Sequence, residues 1–262
     1  MLPRTRVLQY ELANLFGSHS EAPKTSQDHP QHPFFDPLTD SPARTLFWLC
    51  IGSLVLVSWS AGSLRIWHNA SVMTQNEPRS RPVTSSDEKS SATAKAKPPP
   101  TPARILAMRD SFIAMGFAWP GIVAILLLFG APLNSHIIPT SLLALLISIL
   151  TVWTPAFTFG LPSIASQTLK DEEHRQKWIE LFVELSTRSP IDRAVVFPSI
   201  GAIIGCWLGA LPMPLDWDRP WQAWPLTAAY LAIIGHVIGS GISLAVSIAQ
   251  FLLIEAQAER DA

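Results

Sequence analysis

Residues 111–169 contain no Asp, Glu, Lys or Arg. No soluble helix or strand survives that long without a wet face, because water-exposed elements interleave charge with apolar residues. Three shorter stretches share the property: 45–64, 194–215 and 220–254. All 39 charged residues therefore lie in the remaining 126 positions. Since about 20 apolar residues cross a bilayer core as a helix, the pattern predicts an all-α, polytopic helical membrane protein. It excludes a secreted disulfide scaffold, a nucleic-acid-binding module and a soluble α/β enzyme. Cys50 and Cys206 both fall inside apolar stretches, where a thiol acts as a small hydrophobe.

About five spans follow. Residues 1–43 read as a polar N-terminal tail and 44–67 as the first transmembrane helix, bracketed by Arg44 and Arg65 with Trp48 and Trp67 as interfacial anchors. Residues 68–103 read as a disordered cytosolic linker, being polar, Pro-rich and poor in large apolar side chains. The helical membrane domain covers 104–262. Its long uncharged run must hold two spans, about 111–130 and 138–159, broken by Gly130, Pro132, Asn134 and Pro139 into a hairpin. Further spans are expected at about 194–211 and 226–254. Between them, residues 170–193 place Trp178, Ile179, Leu181, Phe182 and Leu185 at helical spacing against Glu180 and Glu184. That spacing reads as one amphipathic surface helix ended by Ser189-Pro190, lying on the membrane or capping the bundle.

Lys and Arg set the orientation. The segments 65–110, 170–193 and the C-terminus carry 14 of them, and the opposite side carries 5. The positive-inside rule assigns the richer side to the cytosol. The sequon at Asn69-Ala70-Ser71 is then cytosolic and expected to carry no glycan.

Catalytic signatures are missing. No Asp or Glu lies inside an expected span, which argues against a proton- or sodium-coupled transporter. No metal or cofactor motif is present, and the short non-cytosolic loops offer only Asp216 and Asp218. His136 sits in a turn, and His236 reads as a packing residue on a Gly-rich helix. Two features stand out instead. Gly201, Gly205 and Gly209 make two consecutive GxxxG steps, and Gly235 and Gly239 make another. Small residues at this spacing let helix backbones approach closely. The two helices either pack on each other or leave a glycine face for another protein's helix. Between them, Leu211–Pro225 gathers three of the ten Trp and four Pro, with Asp216, Trp217, Asp218, Arg219, Pro220, Trp221 and Trp224. Trp favours the headgroup level and Pro stiffens backbone, so the loop is expected to present a fixed shape to a partner or to lipid headgroups.

The run Gly205-Cys-Trp-Leu-Gly-Ala-Leu-Pro-Met-Pro-Leu-Asp-Trp-Asp-Arg-Pro-Trp-Gln-Ala-Trp-Pro225 closely resembles the signature of the PIG-F family of glycosylphosphatidylinositol (GPI) anchor biosynthesis proteins. Leu128-Phe-Gly-Ala-Pro-Leu133 and, more weakly, Leu46-Phe-Trp-Leu-Cys-Ile51 are similar to two other family segments. The resemblance implies a multi-pass endoplasmic reticulum membrane protein that is not itself an enzyme. Its partner would be the catalytic subunit of a GPI ethanolamine phosphate transferase, which it binds and stabilises. That enzyme adds phosphoethanolamine to the third mannose of the glycan, with the second a further candidate. Membrane lipids would be its other contacts. An alternative reading is a lipid-handling protein delivering phosphatidylethanolamine or the GPI precursor to the transferase. The family is drawn with six spans and this sequence supplies five, the polar tail standing where a first helix is expected.

Overall fold

The computed structural model describes residues 36–76, 101–132, 136–161, 169–215 and 220–261, and among these there is no strand. A short helix α1 (Asp36–Thr39) precedes α2 (Pro42–Asn76), α3 (Thr101–Leu128) and α4 (Ile137–Phe159). Helix α4 comprises α-helical Ile137–Ser148 and Thr154–Phe159 around a π-helical turn, Ile149–Trp153. Then come α5 (Leu169–Phe182), α6 (Pro190–Ala210), a 3₁₀ turn (Pro220–Gln222) and α7 (Leu226–Asp261). Five of these, α2, α3, α4, α6 and α7, are long and apolar enough to cross a membrane. The chain is a multi-pass helical membrane protein.

Several expected boundaries move. Helix α2 continues through 68–76, which the composition assigns to the linker, and α3 begins at Thr101. No Pro or Gly interrupts 66–76, so the backbone propagates past the apolar stripe. Ser71 and Thr74 hydroxyls donate back to the Trp67 and Ala70 carbonyls. The middle of the linker, 77–100, lies outside the described residues, as do most of the tail, 1–35, and Asn134 of the hairpin turn. Ser189-Pro190 does not end a helix but starts one. Ser189 is the N-cap of α6: its hydroxyl accepts from Asp192 N, and its own N–H donates to the Asp192 carboxylate. The preceding helix stops at Phe182, seven residues earlier.

Helix α4 is the hub. Two thirds of its apolar window (67%) is buried, against 11% for α3 and for α7. Its neighbours α2, α3 and α6 reach it partly through its backbone carbonyls. Trp119 Nε1 of α3 donates to Ser141 O at 3.0 Å, and Arg65 of α2 donates to Phe157 O at 2.5 Å. Pro155 has no N–H, so Thr151 O loses its normal helical donor, and Ser199 Oγ of α6 lies 3.4 Å from it. Trp153 is 1% exposed and meets Phe112 edge-on at 4.8 Å. Gly160 ends the helix at φ +81°, a left-handed conformation that suits glycine.

Helix α5 caps the end of the bundle where α2 and α4 finish and α6 starts. Leu181 packs with Phe159, Val195 and Val196, Trp178 Nε1 donates to Gly160 O, and Lys177 pairs with Asp192 at 2.8 Å. Its outer side leaves Ile179, Phe182 and, just beyond, Val183 and Leu185 exposed.

Candidate functional site: the C-terminal helix pair and its loop

Helices α6 and α7 are antiparallel, and the five glycines decide how close they come. A Cβ built on Gly201 would collide with the Gly235 carbonyl, and one built on Gly235 would collide with the Gly201 carbonyl. Gly205 meets Leu231 O and, at 3.3 Å, Ala232 Cα. Gly209 meets Thr227 O and, at 2.6 Å, Ala228 Cα, while Gly239 meets Phe197 O and, at 2.9 Å, Pro198 Cα. The obstacle is backbone in each case, so no side chain can yield. Such contact lets the glycine Cα–H lie against the facing carbonyl, a weak attraction that counts where lipid offers no hydrophobic drive.

The expectation that one of these glycine faces stays free for another protein's helix is therefore corrected. All five are spent inside the chain. The facing α7 positions that complete the seam, Ala228 and Ala232, are also buried. Sequence reasoning missed them because it followed glycine alone, although alanine four residues apart serves the same purpose. Beyond Gly239 the seam continues through buried Ser243 to Ser247, whose hydroxyl accepts from Arg193 Nε at 3.1 Å. Arg193 is 3% exposed, and it also donates to the Thr187 and, more distantly, Arg188 carbonyls, fastening the start of α6 to α7.

Outward, the pair is apolar. Ile203, Ile204, Trp207 and Leu208 are exposed on α6, with Trp207 at 61%, as is Leu211 just beyond its end. Helix α7 packs chiefly on α6. Six other described glycines, among them Gly52, Gly121 and Gly241, have open space where a Cβ would stand.

The loop is pinned at both described ends. Gln222 Nε2 donates to Pro212 O and Leu215 O, both at 2.8 Å, drawing the two sides together. Trp224 Nε1 donates to Thr140 Oγ1 of α4 at 2.9 Å, and Pro225 and Leu226 are fully buried behind it. The Trp224–Pro225 peptide is cis. Pro220 and Trp221 lie in the half-buried 3₁₀ turn. Asp216, Trp217, Asp218 and Arg219 lie outside the described residues. Gln222 was not singled out in the sequence, yet a legible signal exists: four Pro supply carbonyls without N–H groups, and a side-chain amide has two donors to give.

Of the two histidines singled out above, His136 precedes α4 and His236 is half-buried on α7. Among the described residues no three His, Cys, Asp or Glu side chains converge in a way that could hold a metal ion.

Known proteins resemble this chain in sequence. The chain is 38% identical over 135 residues to glycosylphosphatidylinositol anchor biosynthesis protein 11 of Pyricularia oryzae, covering 52% of this chain and 45% of that one. It is 38% identical over 125 residues to the protein of the same name from Yarrowia lipolytica (47% and 49%). It is 34% identical over 119 residues to the human "GPI ethanolamine phosphate transferase, stabilizing subunit" (45% and 49%). The matches thus span about half the length of these curated relatives. No solved structure matches it significantly. The model of the GPI biosynthesis protein family Pig-F matches residues 31–244, which is most of the chain and contains four spans and most of the fifth; this protein belongs to that family.

Proposed function

We propose that this protein is the non-catalytic subunit of a GPI ethanolamine phosphate transferase in the endoplasmic reticulum membrane, binding and stabilising the catalytic chain. The observation that carries the reading is the C-terminal unit, where the family resemblance is densest and the two helices come into backbone contact. Its glycines lock α6 to α7, and Gln222 and Trp224 fasten the connecting loop. Such a unit is preorganised, so docking against it costs little ordering entropy. The glycines being internal, the docking face is the outer side of the pair, with exposed Ile203, Ile204, Trp207 and Leu208 on α6 and Leu211 just beyond it, continued by the loop that carries Asp216–Arg219. The partner offers membrane helices to the first part and its luminal side to the second. The name of the human relative supports a stabilising rather than a catalytic role. The acceptor is the third mannose of the GPI core, with the second a further candidate.

Affinity purification of the full chain from mild detergent tests this. A much larger transferase chain is expected in stoichiometric amount. A homogeneous monomer, from cells whose GPI synthesis is unchanged when the protein is deleted, would contradict it.

A further inference from the structure

At the opposite end of the bundle from the loop, α2, α4 and α5 line a half-open cavity of about 420 Å³. Helix α2 supplies His68, Asn69, Val72 and Met73, α4 supplies Phe159, and α5 supplies Glu173, His174 and Lys177. Its height along α2 is informative. Arg65 is the first charge after the apolar run and stands 20 residues, about 30 Å, from Thr45. The cavity begins one turn later, at the level where the hydrocarbon gives way to headgroups.

The walls are of two kinds. Val72, Met73 and Phe159 are apolar, and the remainder bears hydrogen-bonding and ionic groups. The two charged lining residues, Glu173 and Lys177, are of opposite sign. Lys177 is held by Asp192 at 2.8 Å and Glu180 at 3.5 Å, with its ammonium 5.4 Å from the centre of the Phe159 ring. Glu173 makes no ion pair among the described residues. An unpaired carboxylate at the rim, with donors from His68, His174, Asn69 and Lys177 nearby, complements a ligand bearing an ammonium next to a phosphate. A purely anionic headgroup would meet Glu173 with repulsion.

We infer that this cavity holds the headgroup of a zwitterionic phospholipid, with Glu173 facing its ammonium, the histidine, amide and lysine donors facing its phosphate, and Val72 and Met73 guiding the acyl chains outward. The site is built rather than incidental. His68 meets Phe159 edge-on at 5.0 Å, and the His174 ring lies 3.5 Å from where a Cβ of Gly160 would stand, so both rings are set by their contacts with the end of α4. The inference does not rest on the proposed transferase partnership, because the cavity lies at the other end of the bundle from the loop.

Native mass spectrometry of the full chain in detergent tests it, with equimolar phosphatidylcholine, phosphatidylethanolamine and phosphatidylglycerol as probes. One zwitterionic lipid should be retained about fivefold more than phosphatidylglycerol. Met73→Trp fills the cavity from an exposed position and should remove most of that retention. Glu173→Gln should bring the headgroup preference close to unity while keeping the fold. Equal retention of phosphatidylglycerol by the unmodified chain, or undiminished retention in Met73→Trp, would mean only annular lipid and would overturn the inference. An unchanged preference in Glu173→Gln would refute the ammonium assignment. Displacement of the lipid by soluble glycerophosphocholine would mean that the headgroup alone is the ligand, refuting a lipid source.

Discussion

Helices α6 and α7 are joined by what they lack, and α2, α3 and α4 by what they carry. In the first group backbone meets backbone at five glycines, and no side chain stands between. In the second, bulky residues such as Trp153, Leu143 and Leu146 fill the space, and Trp119 and Arg65 donate to carbonyls of α4. Both arrangements answer the same problem. Lipid tails are as apolar as leucine, so cohesion must come from packing and hydrogen bonds. The glycine seam has no slack, whereas the side-chain group can relax around a change. The difference places rigidity at the end of the chain that carries the loop.

Gly205→Leu should break that contrast most severely. The obstructing Leu231 and Ala232 atoms are backbone, so the helices must separate, at a cost of about 5 kcal/mol or more. Limited proteolysis in detergent should show cleavage between α6 and α7 while α2–α4 stays protected. Trp153→Ala, in the side-chain group, should cost about 3 kcal/mol and appear as a lowered thermal transition of the whole domain without selective cleavage. Gln222→Ala leaves Leu215 O without this donor and Pro212 O with only the Leu215 N–H, and about 1–2 kcal/mol should be lost locally. Hydrogen exchange in 211–225 should rise while the transition temperature barely moves. The smallest effect is expected at Gly241, where open space awaits a Cβ. Gly241→Ala should be neutral or stabilise by up to about 1 kcal/mol through helix propensity, read as an equal or higher transition temperature. A large loss there would mean that the seam extends beyond the five glycines.

The membrane architecture was legible because charge-free runs of this length have one physical solution, and the hairpin break followed from Gly130 and Pro132. Helix ends were less so. Polar residues 68–76 stay helical because nothing breaks the backbone, and composition reports solvation rather than helix continuity. Ser189-Pro190 was read in the wrong direction because the same dipeptide chemistry closes one segment and caps the next. Asp192, three residues on, is the signal that decides between them. At the site, the glycine spacing was visible but not its addressee. That required the antiparallel register, which brings Gly201 to Gly235 and Gly209 to Ala228. Thr140 was silent because its role depends on a contact across 84 residues of sequence. The cavity under α5 depended on three helices converging, and no local pattern in the sequence encodes that.

The most direct test of the docking face is site-specific photocrosslinking in cells. A benzophenone side chain replaces Trp207, which is exposed on the outer side of α6 and touches no glycine seam. The same probe replaces Phe251, exposed near the far end of α7. The probe at position 207 should give an adduct with a much larger transferase chain, and the probe at 251 far less of it. Adducts confined to lipid at position 207, in a protein that folds and remains in the membrane, would contradict the claim that this face docks the enzyme.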